Sequence, residues 1–509
     1  MTHLPSDTDI LVIGGGINGV GVACDAAGRG LKVVLCEHGD LASATSSASS
    51  KLVHGGLRYL EHYEFRLVRE SLSERSTLLD KAPHLVHPMR FVLPHHPSMR
   101  PAWMLSLGLF LYDHLAKLDP RLARSWRLNL NTDVEGQALN ASVDTGFVYS
   151  DCWVDDSRLV VSNARAAADH GAHVLTRTRV TGATRAGDAW DVTVHDLTSD
   201  QTHTIRARAI VNAAGPWTLD TLKACHGEDQ GKQLRLVKGS HMVVPRLYAG
   251  EHAYILQNDD GRIVFVIPYQ DDFTLIGTTE EMLDAPPNIS DEQLDISPEE
   301  TAYLCQTVNS YFSKPIKPED AVWSFAGVRP LFDDEATSAS HVTREYVLDL
   351  DVSQNLPLLS VFGGKLTTYR QLAEKALHRL SPYFPDMGAP WTKKAVLPGG
   401  AMPGTPDAFF EHLHHMYPGV DPDVLHGLAK RHGDLAHVIL DGAETMAELG
   451  QYFGCGLTAR EVDYMTAHEW ACTAEDILWR RSKLGLTLEA GQQTALAAYI
   501  DTSAPRRVT

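Results

Sequence analysis

Three glycines close to the start of the chain, Gly14, Gly16 and Gly19, follow a short apolar segment with the spacing Gly-x-Gly-x-x-Gly. In such a motif the first glycine permits a tight turn, the second lets backbone N–H groups approach a pyrophosphate, and the third lets a helix lie close to a strand. The N-terminus of that helix attracts the phosphates. A second apolar strand ends at Glu37, which can accept hydrogen bonds from ribose hydroxyls. This order predicts a dinucleotide site, and the N-terminal location of the motif favours FAD over NAD.

A run of small and hydroxyl-bearing residues, 43–51, follows the second predicted strand. Its hydroxyls could donate to phosphate and ribityl oxygens, although a solvated linker is the usual interpretation of this composition. The run leads directly into Gly55 and Gly56, and paired glycines indicate a close approach of the backbone to another group. We therefore predict that the run belongs to the cofactor site.

A second glycine pair, Gly363 and Gly364, stands with Lys365 between an apolar strand and a predicted helix that starts at Thr367. A helix N-terminus directed at a flavin pyrimidine would stabilise the negative charge of the reduced ring. Lys365 could add positive charge there or contact the substrate. A βα loop with a solvated lysine is the alternative, and the sequence favours the flavin contact.

Arginine side chains are the candidates for binding an anion. Arg329 lies in an otherwise apolar stretch, residues 322–331, and Arg58 and Arg344 are two further arginines whose anionic partner has to be identified. A buried guanidinium needs an anionic partner, which can be a structural carboxylate or an anionic substrate. Three such arginines in an acidic protein predict a site for a carboxylate or a phosphate, because a guanidinium binds either in a bidentate fashion.

Histidine is the most common general base, but the chain has 25 histidines, so a single one is weak evidence. His241 lies on a predicted strand, and an alternating strand that faces the cofactor could present its imidazole as a base. A surface or hydrogen-bonded core histidine is the competing interpretation. His54, next to the first paired glycines, is a second candidate.

The predicted elements fall into three groups. Strand–turn–helix segments that are far apart in the sequence predict one α/β sheet; they cover residues 10–37, 157–180, 207–217 and 358–367. A β-rich insertion lies between them, with strands predicted at 234–244, 254–257, 263–269 and 273–277. In the same insertion Ser297 and Glu300 predict a capping box at the start of a helix. After a Pro- and Gly-rich break at 382–406 the chain is predicted to be almost wholly helical, with one helix opened by Thr458 and Glu461.

Composition excludes some classes of protein. The 509 residues carry a formal net charge of −19, and 44% of them are hydrophobic, as in ordinary globular enzymes. The negative charge disfavours nucleic acid as a partner and requires local Arg and Lys side chains for any anionic substrate. Seven cysteines without CxxC spacing indicate reduced thiols in a cytoplasmic-facing protein, and no metal site is predicted.

The most apolar stretch, residues 103–112, is too short to span a bilayer. No signal peptide is expected, because the chain enters its first strand almost at once. The stretch is either a buried helix or an amphipathic helix on a membrane surface, with Trp103 and Tyr112 at the interface and Arg100 and Lys117 beside them. The sequence leaves both alternatives open.

In their order along the chain, the motifs resemble those of a known family. They are GGGINGVGVACDAAGRG, SSASSKLVHGGLRYLEHYEFRLVRESL, YSDCWVDDSRLV, VNAAGPW, KGSHMVVP, FVIPY, IGTTE, FAGVRPL and SVFGGKLTTYR. Over roughly residues 7–395 the chain is similar to the FAD-dependent, respiratory glycerol-3-phosphate dehydrogenases of bacteria and mitochondria, and EVDYMTAHEWACTAEDILWRRSKLG extends the likeness almost to the end. Phe325 and Ala326 depart from the polar pair expected before Gly-Val-Arg-Pro.

The resemblance implies an α/β multidomain fold. A Rossmann-like FAD-binding domain of the glutathione-reductase and D-amino-acid-oxidase type would comprise 1–75, 145–233 and 340–385, a β-sheet substrate domain 76–144 and 234–339, and a helical C-terminal domain 391–509. The implied reaction is oxidation of sn-glycerol 3-phosphate to dihydroxyacetone phosphate by hydride transfer to FAD, with electrons passed to ubiquinone. Peripheral attachment to the inner face of the cell membrane and a homodimer are also implied.

The resemblance also assigns site residues. With His54 as the second candidate base, the substrate site comprises Arg58, Tyr59, His241, Thr278, Arg329, Arg344 and Lys365. The FAD site comprises Gly14, Gly16, Asn18, Gly19, Glu37, Ser46, Ser47, Ser49, Lys51, Leu52, Val180, Ala214, Gly215, Gly363, Gly364, Leu366 and Thr367. In this scheme Arg329 and Arg344 bind the phosphate, and His241 or His54 removes the proton of the C2 hydroxyl.

Three other functions fit parts of the pattern. One is a glycerol-3-phosphate oxidase that reduces O2, which the sequence does not separate from a quinone-dependent enzyme. Another is a D-amino-acid or glycine oxidase, which shares the fold and binds a carboxylate through arginine. The third is an FAD-containing protein that modifies nucleic acid or only binds a partner, and the acidic balance without a basic stripe argues against it.

Overall fold

The fold is described by a computed structural model for residues 4–96, 100–226, 231–288, 294–332 and 346–503. Its strands are β1 (Asp7–Ile13), β2 (Val33–Cys36), β3 (Leu52–Val53), β4 (Val86–His95), β5 (Trp126–Asn129), β6 (Thr145–Val154), β7 (His173–Leu175), β8 (Thr178–Ala186), β9 (Ala189–Asp196), β10 (Gln201–Asn212), β11 (Leu234–Pro245), β12 (Ala253–Gln257), β13 (Ile263–Tyr269), β14 (Phe273–Gly277), β15 (Glu281–Leu283), β16 (Trp323–Phe332), β17 (Val347–Asp351), β18 (Leu358–Phe362), β19 (Tyr452–Gly454) and β20 (Leu457–Thr458). Its α-helices are α1 (Ile17–Gly28), α2 (Phe65–Lys81), α3 (Ala102–His114), α4 (Asp156–Asp169), α5 (Thr218–His226), α6 (Pro298–Tyr311), α7 (Tyr369–Leu380), α8 (Pro406–Met416), α9 (Pro422–His432), α10 (Ala436–Leu440), α11 (Ala459–His468) and α12 (Ala490–Ser503).

The first sheet has the strand order β17-β18-β10-β1-β2-β7. Strands β18, β10, β1, β2 and β7 are parallel, whereas β17 and the β8–β9 hairpin are antiparallel additions. Ile10 and Val12 of β1 face α1, α4 and α7, and Leu11 faces β9 and α5 on the other side. All three side chains are fully buried, which explains why β1 is apolar without interruption from Ile10 to Ile13. The predicted assembly of this sheet from distant segments is confirmed.

The second sheet has the order β15-β11-β14-β13-β12-β4-β6-β3, with β16 paired to β11 and β5 to β6. Its strands alternate: Met242 and Val244 face helix α6, whereas Val243 faces the side covered by α2 and α3. Helix α6 begins at the predicted capping box of Ser297 and Glu300. Strands β3 and β6 pair in this sheet, although the predicted division places their residues with the first domain.

The C-terminal part, α8 to α12, forms two apolar clusters of its own. It is mostly helical, but it also contains the hairpin β19–β20 and a π-helical segment, Asp476–Arg481, which the apolar periodicity does not predict. The predicted helix start is confirmed, since α11 begins directly after Thr458 with Glu461 in its first turn. The Glu461 carboxylate is buried and accepts hydrogen bonds from Arg431, with Arg431 Nε at 2.7 Å, and lies 2.9 Å from His432 Nε2. Tertiary pairing therefore determines the position of this acid.

Predicted boundaries are confirmed where a strand is short and apolar, as for Ile263–Tyr269, Phe273–Gly277 and Leu358–Phe362. The single strand predicted at 173–180 is wrong. It is divided into β7 and β8 at Arg177, whose φ of 52° is left-handed and ends the first strand.

Candidate active site

A cavity of about 2490 Å³ is lined by residues of both sheets and of the C-terminal part. It brings together most of the residues that the sequence predicts for the cofactor: Gly14, Gly16, Asn18, Glu37, Ser46, Ser47, Ser49, Leu52, Val180, Ala214, Gly215, Gly363, Gly364, Leu366 and Thr367. It also brings together His54, Arg58, Tyr59, His241, Thr278, Arg329 and Lys365 from the predicted substrate site. Gly19 and Lys51 lie behind its wall, and Arg344 lies outside the described residues.

The turn between β1 and α1 forms one end of the cavity. Gly14 has a φ of 107°, and helix α1 begins after Gly16, so that its N-terminal residues line the cavity. Ile17 N donates to Ser46 Oγ at 3.0 Å, which joins this turn to the hydroxyl-rich loop. A Cβ on Gly19 would lie 1.9 Å from the carbonyl oxygen of Gly14, so this glycine sets the distance between helix and turn.

Glu37 ends β2 and lines the same end of the cavity. Its Oε2 accepts a hydrogen bond from Gly15 N at 2.6 Å and its Oε1 accepts one from Gly39 N at 2.7 Å. Burial raises the pKa of this carboxyl, while the two N–H donors oppose the rise. The acid is therefore fixed in orientation beside the glycine turn, where a carboxylate can accept further hydrogen bonds from hydroxyls of a ligand.

The hydroxyl-rich loop, residues 43–50, is held from behind by Asp156, a buried acid that sequence reasoning did not place in the site. Its Oδ2 accepts a hydrogen bond from Ser49 Oγ at 2.7 Å, and its Oδ1 accepts one from Lys51 Nζ at 2.8 Å. Lys51 Nζ also donates to Ser47 O at 2.9 Å. The Lys51 ammonium is thus turned away from the cavity and supports the loop that lines it. The only sequence indication was the second acid beside the helix cap Asp155.

His241 of β11 lies at the other end of the cavity, and its ring is confined on two sides. It stacks on Phe325 with ring centroids 4.9 Å apart, and a Cβ on Gly277 would lie 2.1 Å from His241 Cδ2. Its Nε2 is 2.9 Å from Ser50 Oγ, and its buried Nδ1 has no hydrogen-bond partner among the described residues. Burial, together with the charges of Lys51 and Arg329, lowers the pKa of His241 to about 3. The imidazole is therefore neutral at physiological pH and can accept a proton.

Arg329 of β16 was predicted from an apolar context, and its guanidinium faces the cavity with 31% of the side chain exposed. Its Nη1 is 3.3 Å from Glu280 Oε1, and its Nη2 donates to Thr279 O at 3.3 Å. Glu280, which the sequence reasoning missed, directly follows the Thr278–Thr279 pair. The guanidinium is thus oriented by one carboxylate and one carbonyl while its accessible face remains directed at the cavity.

Lys365, Tyr59 and His54 form a further part of the wall. Lys365 Nζ lies over the Tyr59 ring, 3.8 Å from its centroid, which is a cation–π contact. His54 N donates to Thr367 Oγ1 at 3.3 Å and so joins the loop after β3 to the turn after β18. That turn contains a short 3₁₀ segment, Leu366–Thr368, and α7 starts at Tyr369, two residues later than predicted.

The C-terminal part contributes Glu475, Trp479 and Arg480 to the cavity wall, and the sequence reasoning assigned none of them to the site. Arg480 Nε donates to Asp40 Oδ2 at 2.6 Å. The neighbouring Arg481 is fully buried and binds both oxygens of Asp40, at 2.6 and 2.7 Å. Asp40 follows β2 in the first sheet, so these bonds fix the C-terminal part against the cofactor end of the cavity.

Comparison with known proteins agrees with this geometry. Residues 9–370 match the family model described as FAD dependent oxidoreductase, and residues 390–506 match the C-terminal domain of alpha-glycerophosphate oxidase. The chain is 54% identical to a glycerol-3-phosphate dehydrogenase of Pseudomonas aeruginosa, with 98% of this chain and 96% of the relative covered.

The chain belongs to the FAD-dependent glycerol-3-phosphate dehydrogenase family. The chain is also similar to a D-erythritol 1-phosphate dehydrogenase of Brucella abortus, with 49% identity and 98% of each chain covered. Among solved structures, the glycerol-3-phosphate dehydrogenase of Bacillus halodurans complexed with FAD has a TM-score of 0.74 at 27% identity, with 97% of this chain and 94% of that chain covered.

The cofactor of this FAD-dependent family is FAD, and the residues present fit it. A Cβ on Gly14 would lie 2.6 Å from Ala213 O, so backbone alone forms the turn where a pyrophosphate binds. Glu37 stands where an adenosine ribose is bound in such folds. Asn18 Oδ1 is buried at the cavity without a hydrogen-bond partner among the described residues, as expected for a group that faces a ligand.

We expect Asp156→Ala to weaken FAD binding roughly tenfold, because the buried Lys51 ammonium and Ser49 would lose the carboxylate that holds their loop. Flavin retained by the purified protein after dilution and ultrafiltration measures the effect. Asp155→Ala is the matched control: it removes the carboxylate that caps α4 by accepting from Arg158 N at 3.1 Å, while the bonds of Asp156 to Ser49 and Lys51 stay in place. Equal FAD retention in Asp156→Ala and the wild type would contradict the prediction.

Proposed function

We propose that the protein oxidises sn-glycerol 3-phosphate to dihydroxyacetone phosphate and passes the electrons to ubiquinone. The observation that carries the proposal is the pairing, on adjoining strands of one cavity wall, of the Arg329 guanidinium with the neutral imidazole of His241. Strand β11 pairs with β16 so that Val237 is opposite Arg329, and His241 is opposite Phe325. A phosphate and a secondary hydroxyl on one small substrate can therefore be engaged by the same wall.

Arg329 binds the phosphate in this scheme, since its fork can donate two parallel hydrogen bonds to phosphate oxygens. Arg58 and Lys365, which line the same cavity, supply further positive charge in a protein of net charge −19. The motif resemblance adds Arg344, which lies outside the described residues. Local cations of this kind offset the overall field that would otherwise repel an anionic substrate.

His241 is the proposed base that takes the proton of the C2 hydroxyl, and His54 is the second candidate. Burial lowers the pKa of His241 and so weakens it as a base, but the negative charge of the substrate's phosphate would raise that pKa. Its Nδ1 has no hydrogen-bond partner among the described residues. Bound FAD supplies the acceptor for the hydrogen and two electrons removed from C2. Thr278, beside Gly277, and Tyr59 complete the proposed substrate pocket.

Anaerobic addition of sn-glycerol 3-phosphate to the purified yellow protein tests the reaction, because reduction bleaches the visible flavin bands. D-Erythritol 1-phosphate and glycine are added in parallel. The Brucella abortus relative is named for the first compound. Glycine tests the alternative function of a D-amino-acid or glycine oxidase. Faster bleaching by sn-glycerol 3-phosphate supports the proposal. Faster bleaching by either other compound would replace it.

The proposed acceptor is supported by an apolar rim at the cavity, formed by one face of α3. Trp103, Met104, Leu107 and Leu111 line the cavity and are 65%, 40%, 50% and 37% exposed, and Phe110 on the same helix is 56% exposed. Exposed apolar patches of this kind mark interaction surfaces, and an apolar quinone reaches the flavin most directly from a membrane that the rim contacts. No helix in the described parts of the chain is long and apolar enough to span a bilayer.

The proposal therefore includes peripheral attachment to the inner face of the cell membrane through α3, and a homodimer, as the sequence resemblance implies. Helix α3 carries Leu109 and Tyr112 on its buried face, so the predicted position of Tyr112 at a membrane interface is wrong, and the proposed attachment rests on the exposed side chains of the opposite face. O2 remains the alternative acceptor. Hydrogen peroxide release compared with ubiquinone reduction, each driven by the same substrate, distinguishes the two.

We expect Phe110→Glu to reduce binding to neutral phosphatidylcholine vesicles roughly tenfold, because it places a charge on the surface that enters the apolar boundary. Co-sedimentation measures the effect, and the anaerobic rate of flavin reduction should not change. Val438→Glu is the control, since Val438 is 58% exposed but lies on α10, away from the rim. Vesicle binding that falls equally in both variants would remove α3 from the proposed membrane surface.

A further inference from the structure

We propose that Trp479, in the C-terminal part of the chain, is a positioning residue for His241 and acts through a stack of aromatic rings. The inference deepens the proposed function and rests on it, because it concerns the proposed base. Nothing in the motifs of the C-terminal part predicted a role in the reaction.

The stack runs from the C-terminal part to the imidazole. The Trp479 and Trp323 rings lie 4.4 Å apart at 22°, and the Trp323 and Phe325 rings lie 4.8 Å apart at 41°. Phe325 in turn stacks on His241, with centroids 4.9 Å apart at 13°. Trp323 and Phe325 are two residues apart on β16 and so share one face of the strand. Four rings thus connect the C-terminal part to the proposed base.

The orientation of the imidazole depends on Phe325. On the opposite side the ring lies against the backbone at Gly277, and at its Nε2 it meets Ser50 Oγ at 2.9 Å. The charged groups that act on it are Lys51, whose ammonium lies 5.0 Å from the Phe325 centroid, and Arg329. If Phe325 shifts towards the space behind it, the imidazole can tilt with it and its Nδ1 changes direction.

Trp323 occupies that space, and Trp479 lies behind Trp323 and is itself fixed. A Cβ on Gly485 would lie 2.4 Å from Trp479 Cζ2, so the indole is enclosed between the Gly485 backbone and Trp323. The buried Lys483 Nζ donates to Trp479 O at 2.6 Å. The two arginines that follow Trp479 bind Asp40 of the first sheet. The indole is therefore held in place and limits the movement of the Trp323 and Phe325 rings of β16 away from His241.

The test compares Trp479→Ala and Trp479→Phe with Trp391→Ala. Trp391 is the matched control: it is also a partly buried indole that contacts the first domain, where its Nε1 donates to Asp25 O at 3.2 Å, but it lies away from the cavity. In anaerobic stopped-flow measurements at saturating sn-glycerol 3-phosphate, the rate of flavin reduction should be roughly tenfold lower in Trp479→Ala than in the wild type. The half-saturating concentration should not change, because Arg329 is untouched. Trp479→Phe should restore most of the rate.

A merely structural role has a different outcome. Trp479→Ala and Trp391→Ala would then lower the melting temperature and flavin content alike, with a normal reduction rate per bound flavin, and the proposal would be overturned. Crystal structures of both alanine variants give a second readout. A tilted His241 ring in Trp479→Ala, but not in Trp391→Ala, supports positioning, and an unmoved ring overturns it. If the wild-type flavin is not bleached by sn-glycerol 3-phosphate, the proposed function has failed, and the ring position alone decides the positioning role.

Discussion

Replacing Arg329 with alanine is expected to raise the half-saturating concentration of sn-glycerol 3-phosphate roughly thirtyfold, which corresponds to about 2 kcal/mol. The loss has two sources. The phosphate loses a bidentate, charge-assisted partner, and the Glu280 carboxylate, which lies 3.3 Å from the guanidinium, loses that cation and repels the phosphate more strongly. Steady-state kinetics and the concentration dependence of anaerobic flavin bleaching both measure the effect.

Two further variants sharpen this measurement. Arg329→Lys keeps the charge but not the planar fork, so it should recover part of the affinity. Arg262→Ala is the matched control, because Arg262 also lines the cavity, but its Nε donates to Asp260 at 2.8 Å and its guanidinium stacks on Tyr303 at 3.8 Å. Near-wild-type kinetics in Arg329→Ala, or an equal defect in Arg262→Ala, would place the phosphate elsewhere.

Replacing Gly19 with alanine is expected to lower the affinity for FAD about a hundredfold, through packing strain of roughly 3 kcal/mol. The added Cβ would lie 1.9 Å from Gly14 O, a backbone atom in the turn itself. A backbone carbonyl cannot rotate away as a flexible side chain can, so α1 has to move from β1 and the glycine turn opens. The absorbance ratio of flavin to protein after purification, and titration of the apoprotein with FAD, measure the loss.

Gly491→Ala is the control for this change. Gly491 lies in α12 with nothing within 4 Å of the added Cβ, and alanine is the better helix former, so flavin content should not fall. Retention of FAD by Gly19→Ala at wild-type affinity would mean that the turn does not depend on the close approach of helix and strand.

Local sequence predicted the turn, helix and strand at one end of the cavity, because their geometry depends on neighbouring residues, while the roles of these residues towards FAD stay predictions. Gly14, Gly16 and Glu37 belong to one βαβ unit, and each is required by a turn or a strand end within that unit. The short apolar strand Leu358–Phe362 was likewise placed correctly, since its buried residues are contiguous. Predicted roles for the substrate residues stay predictions, although the fold places seven of them in one cavity.

The contacts that sequence reasoning missed all depend on docking between distant segments. Asp156 follows the helix cap Asp155 in the sequence, but its carboxylate lies behind a loop more than a hundred residues earlier in the chain. Glu280 follows the predicted Thr278, yet its partnership with Arg329 arises only from the pairing of β11 with β16 and β15. Trp479 lies in a segment whose periodicity predicts only a helix. Such contacts leave no local pattern in the sequence.

The order of strands in the first sheet has a consequence for biosynthesis. β1 lies between β2 and β10, and β10 pairs with β18, which ends at Phe362. The cavity wall beside Asp40 is completed only by Arg480 and Arg481, near the end of the chain. Pairings this far apart in sequence form late in folding. During translation, a polypeptide that still lacks β18 leaves the edge of β10 at residues 210–212 unpaired, and an unpaired edge of this kind is open to aggregation.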